Sequence, residues 1–545
     1  MSNAIKLNPM KKFLALFAFM GLFIVSCSDD DDAMDPDGGP IIPPIVNPPS
    51  EGGADFSTYV ALGDFATAGF SDAALFIEGQ EASYPNMLAG SFVTAGGGDF
   101  TIPFMADNLG GMTVAGNLVY PNRLILDFSS GSPTPVPVPG TPTTEATNVL
   151  TGQFNNMGVP GARSYHLLAG GYGNPDALAL NLANPYYVRF ASNPVASILG
   201  DALAQNPTFF SLWIGLNDVL EYALCGGCGI DQTNNPDART YEFGDISDPN
   251  VLAGSIDQIL SQLTSAGAEG VVANIPDLID LPVFNTLPFA LLDPTNPDFG
   301  PQIPALNEQF AELNQVYDDL GVPERAIVFN TDAASALVIQ DESLTDLSVQ
   351  IRDGLIANQV DPLTATLLGQ IYGQARQANE NDRILLGSSQ GGIATDFIAA
   401  LNEDFFAFLQ SQGVPAESAA QLSINGITYP LEDQWVLTPA EQNAIRSATT
   451  SYNSSIESLA QTYDLAFVDM NAFFTQILSV GIPLADGSVV TGEYAVGGGF
   501  SLDGGNLSPR GSALAANEFI KAIEEKYEAV LPKIDPLDYI GVYTN

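Results

Sequence analysis

The 545-residue chain is poor in the side chains that most often carry chemistry. It has one histidine, three cysteines, two tryptophans and only 16 basic residues against 63 acidic ones. The formal charge of −47 excludes nucleic acid as a partner, because phosphates are neutralised by lysine and arginine. It also excludes binding to bare anionic lipid without a separate anchor. One imidazole means that any histidine base must be His166. After residue 26 no run approaches the ~18 apolar residues that a membrane-spanning helix needs. Charged residues make up only 14% of the chain and apolar ones 46%, enough for a sizeable core.

The N-terminus carries a pattern of its own. Lys6, Lys11 and Lys12 precede "FLALFAFMGLFIV", 13 apolar residues, too short for a span and suited to the core of an export signal. The run ends in "IVSC", which resembles a bacterial lipobox, with residues 1–26 as leader and Cys27 as acceptor of the fatty-acyl (palmitate-type) anchor. The following "SDDDD" looks like the acidic signal that sends Bacteroidetes lipoproteins to the exterior of the outer membrane. Residues 27–54 are acidic, then rich in Pro and Gly, and read as a semi-extended tether. With Cys27 acylated, Cys225 and Cys228 in "CGGC" plus one histidine are too few for a zinc site. A local disulfide is the plainer expectation for an exported chain, a redox pair the alternative.

Beyond the tether, strands and helices alternate, which predicts an α/β fold with a largely parallel sheet flanked by helices. Expected core strands are 57–64, 208–218, 270–277, 383–389 and 465–470, each a short apolar run between turn residues. Thr438-Pro439-Ala440-Glu441 is a capping box opening a helix whose stripe is Ile445, Ala448, Tyr452, Ile456, Leu459 and Tyr463. A second helix starts at Ser508-Pro509, with Ala516, Phe519, Ile520, Ile523 and Tyr527 facing the core. Residues 128–146 read as a Pro/Thr-rich surface loop and 283–430 as a mixed insertion with helices. The expected domain covers 55–535, with insertions at about 75–150 and 225–430 and a tail at 536–545. No resident cofactor is expected. The one cation candidate is Ca²⁺ in Asp-rich loops such as "DPTNPDFGP" (293–301), which would need converging oxygens.

Four blocks in order resemble the SGNH (GDSL) hydrolase superfamily, most closely its long Bacteroidetes lipoproteins. They are "ALGDFATAG", "NMGVPGA" (156–162), "GLND" (215–218) and "DGGNLSPRG" (503–511), spanning nearly the whole chain after the tether. The resemblance implies a flavodoxin-like fold and an ester-cleaving site in which serine attacks, histidine takes its proton and aspartate orients the histidine. Carried over position by position, the oxyanion residues map to Gly161 and Asn217 and the orienting aspartate to Asp503. The nucleophile maps to Phe65 and the base to Asn506. Phenylalanine has no nucleophilic atom, and an amide does not accept a proton near neutral pH.

Two rescue routes arise. His166 would have to reach the same pocket from another strand, and a lone histidine is more often structural. Gly387-Ser388-Ser389-Gln390-Gly391 matches a nucleophile elbow, but that motif needs a later histidine and none follows His166. Ser71 lies six residues past Phe65 and should point elsewhere. The expectation is therefore a catalytically degenerate surface lipoprotein with a binding or accessory role, docked on an outer-membrane barrel or another surface protein. An active esterase using non-standard residues is the alternative. Sugar capture has little support, since Trp213 sits in an expected core strand.

Overall fold

The computed structural model describes residues 48–544 except 130, 132, 390, 391, 395 and 396. The leader, Cys27 and most of the tether lie outside the described residues.

Five strands form one parallel sheet: β1 (Tyr59–Gly63), β2 (Asn156–Gly158), β3 (Phe209–Trp213), β4 (Glu269–Ala273) and β5 (Ala466–Val468). Their spatial order is β5-β4-β3-β1-β2. In register, Gly63 pairs with both Gly158 and Trp213, and Trp213 pairs with Ala273. The first, second and third blocks therefore leave the sheet together at its carboxyl edge. Every residue of β1 and β3 is buried. Covered on both faces, these strands read as continuous apolar runs rather than alternating ones.

Helices cover the sheet. α1 (Tyr84–Val93) packs on one face; α2 (Asn217–Leu224), α3 (Pro249–Ser265) and α4 (Pro439–Thr462) pack together on the other; α5 (Pro509–Tyr527) joins α1. Tyr84 of α1 stacks on Phe519 of α5 at 4.5 Å and meets Trp213 edge-on at 5.5 Å. Both expected helix starts are realised. Glu441 Oε2 accepts from Thr438 N at 2.6 Å and from its hydroxyl, and Ser508 Oγ accepts from Gly511 N. All five expected core positions of α5 are buried, each large one worth roughly 1.5–3 kcal/mol. In α4 the stripe is buried through Ile456, after which Ala460 takes the inner position; Leu459 and Tyr463 are only partly covered.

Three expectations are corrected. The run 383–389 is not in the central sheet. Arg383–Ile384 pairs antiparallel with Val436–Leu437, and Gly387–Ser389 forms a hairpin with Gly392–Ala394. Its apolar residues are divided between two cores: Leu385 and Leu386 join the main one, while Ile384 joins a second hydrophobic cluster that the insertion builds from Leu292 to Val436 around Phe310, Tyr317, Tyr372 and Ile339. Half-buried Arg376 braces this unit between the buried Asp341 and Asp382 at 2.6 and 2.7 Å. The Pro/Thr-rich stretch is not simply a loop. Leu124–Asp127 pairs with Thr134–Pro137, the prolines sitting on an edge where a missing N–H does no harm. The strand β2 was not among the expected five. Finally, the tail is tied down, with Arg123 lying between the rings of Phe76 and Tyr543.

Candidate functional site

The chain leaves β1 through Gly63-Asp64 into one helical turn, Phe65–Ala68. Gly63 must be glycine, because a Cβ there would collide with the Thr67 hydroxyl and the Trp213 carbonyl. Phe65, where the resemblance would place a nucleophile, is partly exposed and rests edge-on against Phe70 at 4.9 Å. The second block grips the same turn. Asn156 Nδ2 donates to Thr67 O at 2.8 Å, and a side chain on Gly158 would strike the Ala68 nitrogen. Gly161 follows at φ 78°, a left-handed conformation that suits glycine.

The third block brings Asn217 to the turn, with a difference from the expected oxyanion role. Asn217 is buried, and its Nδ2 donates to Asp64 Oδ2 at 3.2 Å. Burial, with Asp218 close by, pushes the Asp64 carboxyl up to about 8, so it is neutral at physiological pH. Asp218 itself is fully buried and accepts from both Ser164 N and Ser164 Oγ, at 2.8 and 2.9 Å.

The fourth block closes the arrangement. Asn506 Nδ2 donates to Asp503 Oδ2 at 3.1 Å. Asp503 Oδ1 accepts from the backbones of Gly505 and Asn506, while Oδ2 also accepts from Ala73 N at 2.9 Å. Beside it, Asp72 Oδ1 accepts from Leu502 N, and Asp72 N donates to Ser501 Oγ. The loop that follows Phe65 is thus sewn to the loop of Asp503 and Asn506. Between them Ala66, Phe70, Ser71, Leu507, Pro509 and Ser512 enclose a cavity of about 10 Å³, room for about one water. An acyl substrate does not fit there.

Neither rescue route gains support. His166 Nδ1 accepts from Arg163 N at 3.1 Å and its ring stacks on Tyr172 at 4.3 Å. Burial and the Arg163 guanidinium hold it down to about 3, so the imidazole is neutral and structurally engaged. The Gly-x-Ser-x-Gly stretch enters from an antiparallel hairpin, not from a parallel strand into a helix; Gln390 and Gly391 lie outside the described residues. Ser71 is 4% exposed, walled into the small cavity. Trp213 belongs to the core, and Trp435 stacks on Phe397 at 4.2 Å.

Sequence reasoning placed Asn217, Asp503 and Asn506 but missed Asp64 and Asp72. Asp64 lies inside the first block, and its burial at the end of an apolar run was a readable signal. The link from Asp72 to Leu502 spans 430 positions and has no local signature. Elsewhere, Cys225 and Cys228 are joined as a disulfide. The loop at Asp293 closes on itself, Asp293 Oδ1 accepting from Thr295 N and Oγ1 at 2.7 Å. Among the described residues, one group of acidic side chains converges closely enough to hold a metal: Glu342, Asp433 and Glu441.

Comparison with family models, with curated proteins and with solved structures finds no match to this chain.

Proposed function

We propose that this chain is a catalytically degenerate SGNH-type protein, anchored through Cys27 to the outer membrane and acting there as a binding or accessory subunit. The observation that carries the reading is the Asp503–Asn506 pair. Its hydrogen bond reproduces the aspartate–histidine contact of a triad with an amide where the base would be. It is sewn to the loop that follows Phe65, a side chain with no nucleophilic atom.

Further support comes from the sheet. Strand order 2-1-3-4-5 is that of flavodoxin-like sheets, whose ligands bind outside the carboxyl ends where the order reverses. Here that point falls between β1 and β3, where Phe65 and Asn217 leave the sheet. There Phe65 and Phe70, both partly exposed, meet edge-on, and Asn217 is paired with Asp64. A site with neither nucleophile nor base favours recognition by the exterior surface and the insertions, hence a protein partner at the membrane, such as a barrel. Among the described residues no helix is long and apolar enough to cross a membrane, so attachment by acyl chain suits the chain.

The full-length protein, cross-linked in intact outer membranes and recovered through a C-terminal tag, should bring down a second membrane protein in stoichiometric amount. A Cys27→Ser form should lose it. Recovery of the tagged chain alone would sink the accessory-subunit reading.

A further inference from the structure

We propose that Glu342, Asp433 and Glu441 form a binding site for a hard divalent cation, calcium in the first place, that clamps the inserted unit onto the parallel-sheet scaffold.

The three residues come from separate places. Glu342 follows the strand Val338–Gln340 of the inserted unit, Asp433 lies where the chain returns from that unit, and Glu441 is in the first turn of α4. One carboxylate oxygen of each lies within 4.8 Å of the others. Three oxygens spread evenly around one calcium at about 2.3–2.6 Å stand about 4.0–4.5 Å apart, so a small side-chain adjustment brings all three onto a single ion.

The burial of two of these oxygens, on Asp433 and Glu441, distinguishes the site from an ordinary acidic patch. Glu441 is 4% exposed. Its Oε2 is taken by the Thr438 cap, leaving Oε1 for the cluster, and Oε1 is buried with no hydrogen-bond donor. Asp433 Oδ1 is likewise buried with no donor. Orphaned carboxylate oxygens are costly unless a proton or a cation answers them. Among the described residues none of the three forms an ion pair with Lys, Arg or His. Burial first, and the neighbouring Glu342 with it, push the Asp433 and Glu441 carboxyls above the usual carboxylate range. That is the response of acids crowded together with no positive charge beside them.

The wall opposite is the disulfide loop. A side chain on Gly226 would strike the Asp433 carbonyl, and one on Gly227 would strike Glu441 Oε1. Both glycines sit at positive φ, 68° and 83°. The Cys225–Cys228 bond holds this bare backbone against the acids, and the phenol of Tyr222 in α2 is raised by burial first and then by the charges of these acids. Three carboxylates on an open, irregular framework leave positions for water, which suits the six to eight oxygens of calcium better than the strict octahedron of magnesium.

The test is calcium titration of the detergent-solubilised full-length protein after EDTA treatment, by calorimetry and thermal melting. Because the chain is so acidic, weak surface binding is subtracted by comparison with E342Q/D433N and with E342Q alone. Glu342 is exposed, so E342Q should fold normally. Wild type is expected to show a single-site isotherm and a melting temperature that rises with calcium; the double variant should lose both, and E342Q should weaken affinity at least about ten-fold. In EDTA the double variant should melt no lower than wild type, since like-charge crowding is relieved. The proposal fails if wild type shows no saturable response, or if both variants bind calcium as wild type does. It also fails if pH alone, with no effect of calcium, governs the wild-type melt, which would mean that protons are what the cluster holds.

Discussion

Asn506 Nδ2 donates to Asp503 Oδ2 at 3.1 Å while that same oxygen receives the backbone N–H of Ala73. The aspartate is therefore held by two elements at once, its own turn and the loop beyond Phe65.

If the positions keep triad register, F65S/N506H should gain ester hydrolysis. Serine would stand at the start of the turn after β1, and histidine would take over the bond to Asp503. Replacing Phe65 also removes the ring beside the cavity, so a small ester such as p-nitrophenyl acetate is the appropriate substrate. Members of a triad act as a unit, and losing one costs about as much as losing all. F65S and N506H alone should therefore stay at the wild-type background. The double variant should exceed it by about ten-fold or more. A folded but inert double variant would show that the register is not that of a triad. Wild-type turnover abolished by S389A or H166A would overturn the degenerate reading itself.

How far the sequence showed this arrangement depended on whether the signal was local. Helices α4 and α5 were legible because cap and stripe both lie within the helix. Strands β1, β3, β4 and β5 were legible as apolar runs. β2 was not, because at three residues, Asn156–Gly158, it holds its place through backbone pairing and the Asn156–Thr67 bond rather than apolar content. The run 383–389 misled for the opposite reason. Ile384, Leu385 and Leu386 are buried, but burial does not say which strand a run pairs with, and here Ile384 joins the second core while Leu385 and Leu386 reach the main one from outside the parallel sheet. Phe65 and Asn506 were assigned by block order alone. The bonds that unite their loops join residues about 430 positions apart, beyond any pattern in a single sequence.

Asp503 should matter more to stability than Asn506. Its carboxylate accepts three backbone N–H groups and one amide. D503A leaves all four to water or to nothing, and should cost about 2–3 kcal/mol. N506A removes a single partly exposed bond and should cost about 1 kcal/mol or less. Urea unfolding of the two variants checks this. Equal losses would mean that the Asp503 turn is not what fastens the Ala73 loop.

Stability should also fall toward alkaline pH. Burial holds folded Asp64 at about 8 and Asp72 at about 7, whereas each ionises at about 4 once unfolded. Between those values the folded chain keeps protons that the unfolded chain has released, so their contribution is complete below about pH 4 and is lost as pH rises through 7 and 8. His166 acts in the other direction. Held at about 3 when folded against about 6.5 unfolded, it supports the fold above pH 6.5 and loses that support as pH falls toward 3. The carboxyls govern the alkaline side and the histidine the acid side, which places the optimum in the mildly acidic range. Urea midpoints measured in EDTA should be higher at pH 5.5 than at pH 9. Asp64→Asn, which keeps the acceptor for Asn217 but cannot ionise, should narrow that gap. H166Q should widen that gap, because the histidine has already lost part of its support at pH 5.5, and should flatten the decline below pH 6. An Asp64→Asn variant with the full wild-type gap would mean that Asp64 is already ionised in the folded protein at neutral pH.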